Sequence, residues 1–245
     1  MTMNELEQLK QIIADSDNIV FFGGAGVSTE SNIPDFRSES GLYNAVNKYG
    51  YPPETMLSHS FFEDHPDEFY RYYFGELIYR EARPNKAHLA LARLEQQGKL
   101  KAVITQNIDG LHQAAGSRNV LELHGSVQRN YCLNCHLKYG LDFMLETAPA
   151  IPHCRDCGGI VRPDVVLYEE CLDDAVTSAA IRYIAKADVL IVGGTSLVVY
   201  PAAGMIRYFK GRKLILINKS ATDYDAKADL LIRTSIGQAL DYCVR

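Results

Sequence analysis

Four of the six cysteines fall into two pairs, Cys132-x-x-Cys135 and Cys154-x-x-Cys157, with 18 residues between them. Thiolates are soft ligands, and two such pairs about 15–20 residues apart can close a tetrahedron around one Zn²⁺. The alternatives are two redox-active CxxC pairs, or coincidence. Neither accounts for the turn residues around each pair, Asn134 inside the first knuckle and Gly158-Gly159 after the second. His153, next to Cys154, could compete as a ligand. Cys171 and Cys243 stand alone and read as small, partly buried apolar residues.

A second chemically capable stretch is Gly24-Ala25-Gly26-Val27-Ser28-Thr29, which follows a short apolar run. A strand feeding a glycine turn lets the backbone approach a pyrophosphate, with N–H groups and a helix N-terminus facing its charge. Thr29 stands where a GxGxxG fingerprint has its third glycine, and no acidic residue closes a second strand to hold an adenosine ribose. A hydride-transferring dehydrogenase is therefore poorly supported, and a tight turn without ligand stays open. Among seven histidines, His124 stands out in Glu122-Leu123-His124-Gly125. An imidazole titrates near neutrality, so it can take a proton from a hydroxyl; a satisfied core or surface histidine is the plainer reading. His112 reads as structural, and His59, His65, His88 and His136 have no comparable context.

The elements that must position these groups alternate. Leu6, Leu9, Ile12 and Ile13 recur at helical spacing, and 18–22 is then an apolar run ending in Gly23-Gly24. Further apolar runs lie at 102–105, 120–123, 189–192, 214–217 and 230–232, and helical patterns at 87–97, 175–186 and 202–208. Continuous Val/Ile/Leu runs alternating with helices predict a parallel sheet covered on both faces. Two segments break the rhythm. Residues 43–84, rich in Tyr and Phe, read as helices without a strand, and 126–163 hold the four cysteines. The expected fold class is α/β: a Rossmann-like parallel-sheet domain (1–42, 85–125 and 164–245) with a smaller lobe made of a helical insertion (43–84) and a zinc-ribbon insertion (126–163). A ligand would sit between the lobes.

At 245 residues, 47% hydrophobic and 22% charged, the chain has the composition of a soluble globular protein, which excludes disorder and collagen-like repeats. Its formal charge of −5 offers no general footprint for nucleic acid or an anionic membrane. No apolar run approaches the roughly 18 residues of a membrane-spanning helix, and the N-terminus, with Glu5 and Glu7, does not resemble a secretory signal. The expected location is the cytoplasm, where thiols stay reduced.

Several blocks together resemble one family. Residues 24–37 read GAGVSTESNIPDFR, 105–112 TQNIDGLH, 123–125 LHG, 194–196 GTS and 217–218 IN. In this order, around a four-cysteine module, they look like the signature of the sirtuins, the NAD-dependent protein lysine deacylases. The resemblance spans nearly the whole chain, and its short terminal extents are similar to those of compact bacterial and archaeal members.

The resemblance implies a chemistry. NAD lies extended between the lobes, the acetyl oxygen of an acetyl-lysine displaces nicotinamide from the ribose, and an alkylimidate then yields lysine and O-acetyl-ADP-ribose. Asp109 and the backbone of Ile108 match the positions that bind the nicotinamide amide, for which an acceptor carboxylate suits an NH₂ donor. Gln106 and Asn107 match the ribose-side polar residues, with Asn107 able to orient a water, and His124 matches the general base. Phe36 shields the reaction centre from water and Arg37 contacts the dinucleotide. Gly24, Ala25, Gly26, Thr29, Gly194, Thr195, Ser196 and Asn218 are carried over as phosphate or adenosine contacts, with Lys219 and Ile236 further out on the adenosine side. Cys132, Cys135, Cys154 and Cys157 hold one structural zinc.

The implied partner is an acylated-lysine protein or peptide, added as a strand between 165–168, including Val166 and Tyr168, and 197–200. Here the chain departs from the family's Val-x-Phe-Gly-Glu, reading Val166-Leu167-Tyr168-Glu169-Glu170 with Glu in the glycine position. It departs again from the Tyr-x-x-Arg pair that binds succinyl or malonyl carboxylates, since Tyr70 is matched but Tyr73 takes the arginine position. Acidic acyl groups are therefore disfavoured, while acetyl and longer neutral chains stay open. Two other classes remain: ADP-ribosyl transfer from the same NAD site, and a non-catalytic NAD-sensing or zinc-scaffold protein. The latter predicts loss of His124, Asn107 or Asp109, all of which are present. The sequence specifies neither the protein substrates nor an oligomeric state.

Overall fold

The computed structural model describes residues 3–35 and 46–244. Six strands form one parallel sheet: β1 (Ile19–Gly23), β2 (Leu100–Thr105), β3 (Val120–Glu122), β7 (Val189–Gly193), β8 (Lys213–Ile217) and β9 (Leu230–Ile232). Three more, β4 (Gly125–Cys132), β5 (Lys138–Gly140) and β6 (Val161–Val165), form an antiparallel sheet in the order β5-β4-β6. All six apolar runs of the sequence became the strands of the parallel sheet.

Side chains alternate across a strand, so a strand buried on both faces feeds two cores at once. Ile19 and Phe21 of β1 join one cluster with Leu9, Leu91 and Leu240, whereas Val20 and Phe22 join another with Ala180, Ile184 and Ile206. The first cluster is closed by the helices Met3–Ala14, Lys86–Gln96 and Ile236–Cys243, the second by Asp174–Lys186 and the 3-10 segment Ala202–Tyr208. Truncating one of these fully buried phenylalanines to alanine costs about 3–5 kcal/mol.

The strand order is β3-β2-β1-β7-β8-β9. The chain works outward from β1 to one edge, then returns to the other side of β1, so the order reverses between β1 and β7. A third cluster lies apart from the sheet. Phe62, Phe69, Tyr70 and Tyr73 from the helical segment meet Val127, Cys132, Cys154 and Val161 from the cysteine segment, so the two insertions share one core. Among the described residues no helix is long and apolar enough to cross a membrane.

The helix Lys86–Gln96 shows how local chemistry ties the layers together. Asn85 caps it by accepting from the Ala87 amide at 2.9 Å, and His88 Nδ1 accepts from the Asn85 amide at 3.2 Å, completing a capping box. Asn85 Nδ2 donates to the Val27 carbonyl (2.7 Å) and to Ser31 Oγ (2.9 Å), fastening the helix start to the glycine turn. His88 therefore carries its proton on Nε2, which finds no partner, and the rings of His88 and His112 meet at 4.7 Å with neither His112 nitrogen hydrogen-bonded.

Burial holds both imidazoles neutral, lowering His88 from 6.5 to about 4 and His112 to about 3. The unfolded chain protonates both near pH 6.5, so the stability they contribute is complete above that pH. It is lost as pH falls toward the depressed folded values. Each imidazole should cost on the order of 2 kcal/mol of stability between pH 7.5 and 5. Urea unfolding of the wild type and of His112→Leu at both pH values checks this, the variant showing the smaller loss.

Candidate active site and metal centre

Each block of the sequence lies at the C-terminal end of a parallel strand. Gly24–Thr29 follow β1, Gln106–Asp109 follow β2, His124 lies just past β3, Gly194–Ser196 follow β7 and Asn218 follows β8. At the reversal between β1 and β7, where open α/β sheets leave a crevice, two turns touch. The Gly26 amide donates to the Gly194 carbonyl at 2.8 Å. A Cβ on Gly26 would lie 2.7 Å from Gly194 Cα, and one on Gly24 would lie 2.9 Å from Thr195 Cβ. Only glycine permits that approach.

The segment after β1 differs from the expected helix. It forms two 3-10 turns, Ala25–Val27 and Thr29–Ser31, and stops at Asn32 with φ 62°. A left-handed residue ends the coil, and Pro34 disfavours helical geometry just before it. Turn amides thus take the place of a helix N-terminus.

A cavity of about 650 Å³ opens below this turn. Ala25, Gln106, Asn107, Ile108, Asp109 and His124 line one side, and Val166 and Tyr168 the other. The remaining expected contacts among the described residues lie outside it. Gln106 Nε2 donates to Thr195 Oγ1 (3.1 Å), and Thr195 exchanges hydrogen bonds with the Asn218 side chain at 3.1 and 3.0 Å, joining the β2, β7 and β8 ends. Thr29 is exposed and bonds the Gly26 carbonyl, and Ser196 and Lys219 are exposed. Ile236 is buried, and a Cβ on Gly193 would fall 2.0 Å from its Cδ1, so its side chain is core and only its backbone can serve a ligand. Phe36 and Arg37 lie outside the described residues.

Inside the cavity the polar groups form one relay. Asn107 Nδ2 donates to Ser28 Oγ (3.0 Å), and Ser28 Oγ donates to Asp109 Oδ2 (2.7 Å). Asp109 Oδ1 accepts from the Leu111 amide (2.9 Å). Burial raises the Asp109 carboxyl above the ordinary carboxylate value, and the Leu111 and Ser28 donors hold it back. Two of its roughly four lone-pair sites remain for an incoming donor. His124 Nδ1 lies 2.9 Å from the Gln106 carbonyl, which can only accept, so the proton sits on Nδ1 and the lone pair on Nε2. Ser28, buried at the centre of the relay, escaped the sequence reading. Its signal was a hydroxyl two residues beyond the second glycine of the turn.

The cavity wall at 165–170 is tied to the helical insertion. The Tyr168 amide donates to the Leu57 carbonyl and the His59 amide to the Tyr168 carbonyl, at 2.9 and 3.0 Å. Beneath, Arg162 grips Glu170 with two hydrogen bonds of 2.8 and 2.9 Å, and Glu170 also meets His59 Nδ1 at 2.9 Å. Glu169 sits at φ 76°, a left-handed conformation that costs a side-chain-bearing residue about 1–2 kcal/mol. Its carboxylate offsets this by accepting from the Ser60 amide (2.9 Å) and Ser60 Oγ (3.0 Å). Tyr70 and Tyr73 are fully buried, with Tyr70 donating to the Val161 carbonyl at 2.7 Å, and neither lines the cavity. The tyrosine in the arginine position is thus a packing residue.

The four cysteines converge. All their sulfurs lie within 4.8 Å of one another, with Cys132–Cys157 at 3.4 Å and Cys135–Cys154 at 3.6 Å. Zn–S bonds of about 2.3 Å in a tetrahedron require sulfurs about 3.8 Å apart, whereas a disulfide needs about 2.05 Å. The donor set fits zinc. Support comes from the Asn134 amide on Cys132 Sγ (3.4 Å) and the Tyr139 hydroxyl on Cys154 Sγ (3.1 Å). His153 turns Nδ1 to the Gly158 carbonyl and is no part of the cluster.

Sheet, crevice and thiolate module define a dinucleotide-binding α/β protein with a structural metal lobe. The model of the Sir2 family matches residues 24–201, and the chain belongs to that family. It is 61% identical over 241 residues, 98% of both chains, to a Clostridium acetobutylicum protein named NAD-dependent protein deacetylase. A solved Sir2 homolog–NAD complex is 40% identical, with TM-score 0.87 over 98% of this chain and 92% of that one. A Sir2 structure with deacetylated p53 peptide and 3′-O-acetyl ADP-ribose is 38% identical, with TM-score 0.86 over 97% and 96%.

Metal analysis of the purified protein should give one zinc per chain. Cys132→Ser should lose it and unfold the small lobe, read as new protease cleavage sites within 126–163.

Proposed function

We propose that the chain is an NAD-dependent protein lysine deacetylase, moving the acetyl group from lysine to ADP-ribose and releasing nicotinamide and O-acetyl-ADP-ribose. The observation that carries this reading is the meeting, in one cavity, of the Asn107–Ser28–Asp109 relay and a histidine whose lone pair is fixed on Nε2. Bound NAD supplies an activated ribose carbon that accepts the acetyl oxygen.

The chain's own residues do the rest. Asp109, with the Ile108 backbone, accepts the carboxamide NH₂ and fixes its orientation; Ser28 holds that carboxylate in place. Asn107, anchored through Ser28, orients a hydroxyl or water. His124 Nε2 takes a proton from a ribose hydroxyl, and the Gln106 carbonyl steadies the imidazolium that results. Gly24, Ala25, Gly26 and Thr29 take the phosphates; Gly194, Thr195, Ser196, Asn218, Lys219 and the Ile236 backbone take the adenosine side. Phe36 excludes water and Arg37 contacts the dinucleotide.

The acyl-lysine peptide enters as a strand. Among the described residues the Val166 carbonyl and the amides of Val198 and Tyr200 make no hydrogen bond, so facing segments offer unpaired backbone groups. Main-chain pairing of this kind binds with little demand on sequence. The catalytic domain comprises 1–42, 85–125 and 164–245, and the small lobe 43–84 and 126–163. A reduced thiolate cluster suits the cytoplasm.

His124→Ala should lower deacetylation by roughly 10²–10⁴-fold while leaving much of the NAD binding, and exchange of labelled nicotinamide into NAD should survive better than deacetylation. Asp109→Asn should impair exchange and deacetylation together. Both activities are measured side by side with acetyl peptide present; full deacetylation by His124→Ala removes the histidine from the mechanism.

Because the arginine position holds a buried tyrosine, acetyl- and butyryl-lysine peptides should be processed and the succinyl peptide poorly. A succinyl kcat/KM equal to the acetyl value would show that another cation reads the carboxylate.

A further inference from the structure

Glu169 stands at the cavity rim in a backbone conformation that favours glycine, φ 76°. Peptide binding by backbone pairing needs no side chain there. Its carboxylate is nonetheless fixed, with one oxygen on the Ser60 amide and the other on Ser60 Oγ, so the negative charge is held in place rather than waving in solvent.

The neighbouring charges differ. Glu170 is neutralised by the bidentate Arg162 and by His59, whereas Glu169 is exposed and makes no ion pair among the described residues. Glu54, from the short helix Pro53–Met56, lines the same cavity, also without an ion pair among the described residues. Across the groove the wall is Val199, Tyr200 and Pro201, which carry no charge. Of the cavity's arginines, Arg80 also borders Ser31 and Asn32 beside the glycine turn, and Arg83 donates to the Arg80 and Ala82 carbonyls. A peptide lying over Tyr168 therefore passes a fixed negative charge with no cation of the described residues opposite.

We propose that Glu169 is a specificity-determining residue, its carboxylate selecting acyl-lysine peptides that carry a lysine or arginine at the flanking position over Tyr168–Glu170. This rests on the deacetylase reading of the cavity. Backbone pairing supplies affinity and register; the charge supplies discrimination. Because the contact is at a rim, it acts mainly on encounter and is screened by salt.

The test compares acetyl-lysine peptides identical except for one flanking residue, set to Lys, Gln or Glu at each position in turn. The readout is the ratio of kcat/KM for the Lys peptide to that for the Glu peptide, taken within each enzyme so that changes in overall activity cancel. In the wild type, one flanking position should give a ratio of about tenfold at low ionic strength, shrinking severalfold at about 0.5 M salt. Glu169→Gln, which keeps the side-chain shape, and Glu169→Gly, which relieves the backbone, should both bring the ratio close to one. Turnover of the neutral peptide with a flat wild-type ratio, or a ratio that persists in Glu169→Gln, overturns the role of Glu169 and leaves the deacetylase reading standing. No turnover of any peptide, with NAD present, overturns that reading and this proposal with it.

Discussion

The hydrogen bond from the Gly26 amide to the Gly194 carbonyl is the point on which the rest of the structure turns. It joins the ends of β1 and β7, the two strands between which the chain reverses its direction of travel across the sheet. Were either turn to carry a side chain, the strand ends would be pushed apart and the crevice would lose its floor. The demand then spreads outward. The turn after β1 delivers Ser28 to the Asp109 carboxylate, and Asn85 fastens the same turn to the helix Lys86–Gln96. The turn after β7 delivers Thr195 to Gln106 and Asn218. Two backbone loops in contact thus set the position of polar groups drawn from four strand ends.

Those polar groups are arranged by donor and acceptor logic more than by charge. Asn107 donates to Ser28, Ser28 donates to Asp109, and the Gln106 carbonyl, being only an acceptor, decides where His124 keeps its proton. Each member has its direction fixed by the next. A site of this kind is prepared before any ligand arrives, and little reorganisation is left to the reaction itself.

Most of the large domain was legible in the sequence because fully buried parallel strands are continuous apolar runs, and all six were visible as such. The thiolate centre was legible from spacing. What escaped were contacts between segments far apart in the chain. The Arg162–Glu170–His59 group joins the cysteine insertion, the groove wall and the helical insertion, and no local pattern announces it. The antiparallel strands β4 and β6 were hidden because they carry polar residues such as Arg129, Asn130 and Asp164 and do not alternate cleanly. The helix expected after the glycine turn failed for a local reason, the left-handed Asn32 close before Pro34.

Strands β4 and β6 connect the metal centre to the His124 end of the fold. Their ladder pairs Cys132 with Val161 at one end and Gly125 with Val165 at the other, with a bulge between Ser126 and Asn130. One end therefore carries a metal ligand, while the other adjoins His124 and Val166. A strand repeats every second residue, so one extra residue inside the continuously paired run 130–132 would turn the following side chains to the opposite face and carry Cys132 away from its three partners. An extra residue at 148–151, between the helix Leu141–Thr147 and the second cysteine pair, would lengthen only a connection. Over evolutionary time the cysteine module is thus free to grow or shrink in its loop, but not along the paired run that ends at Cys132.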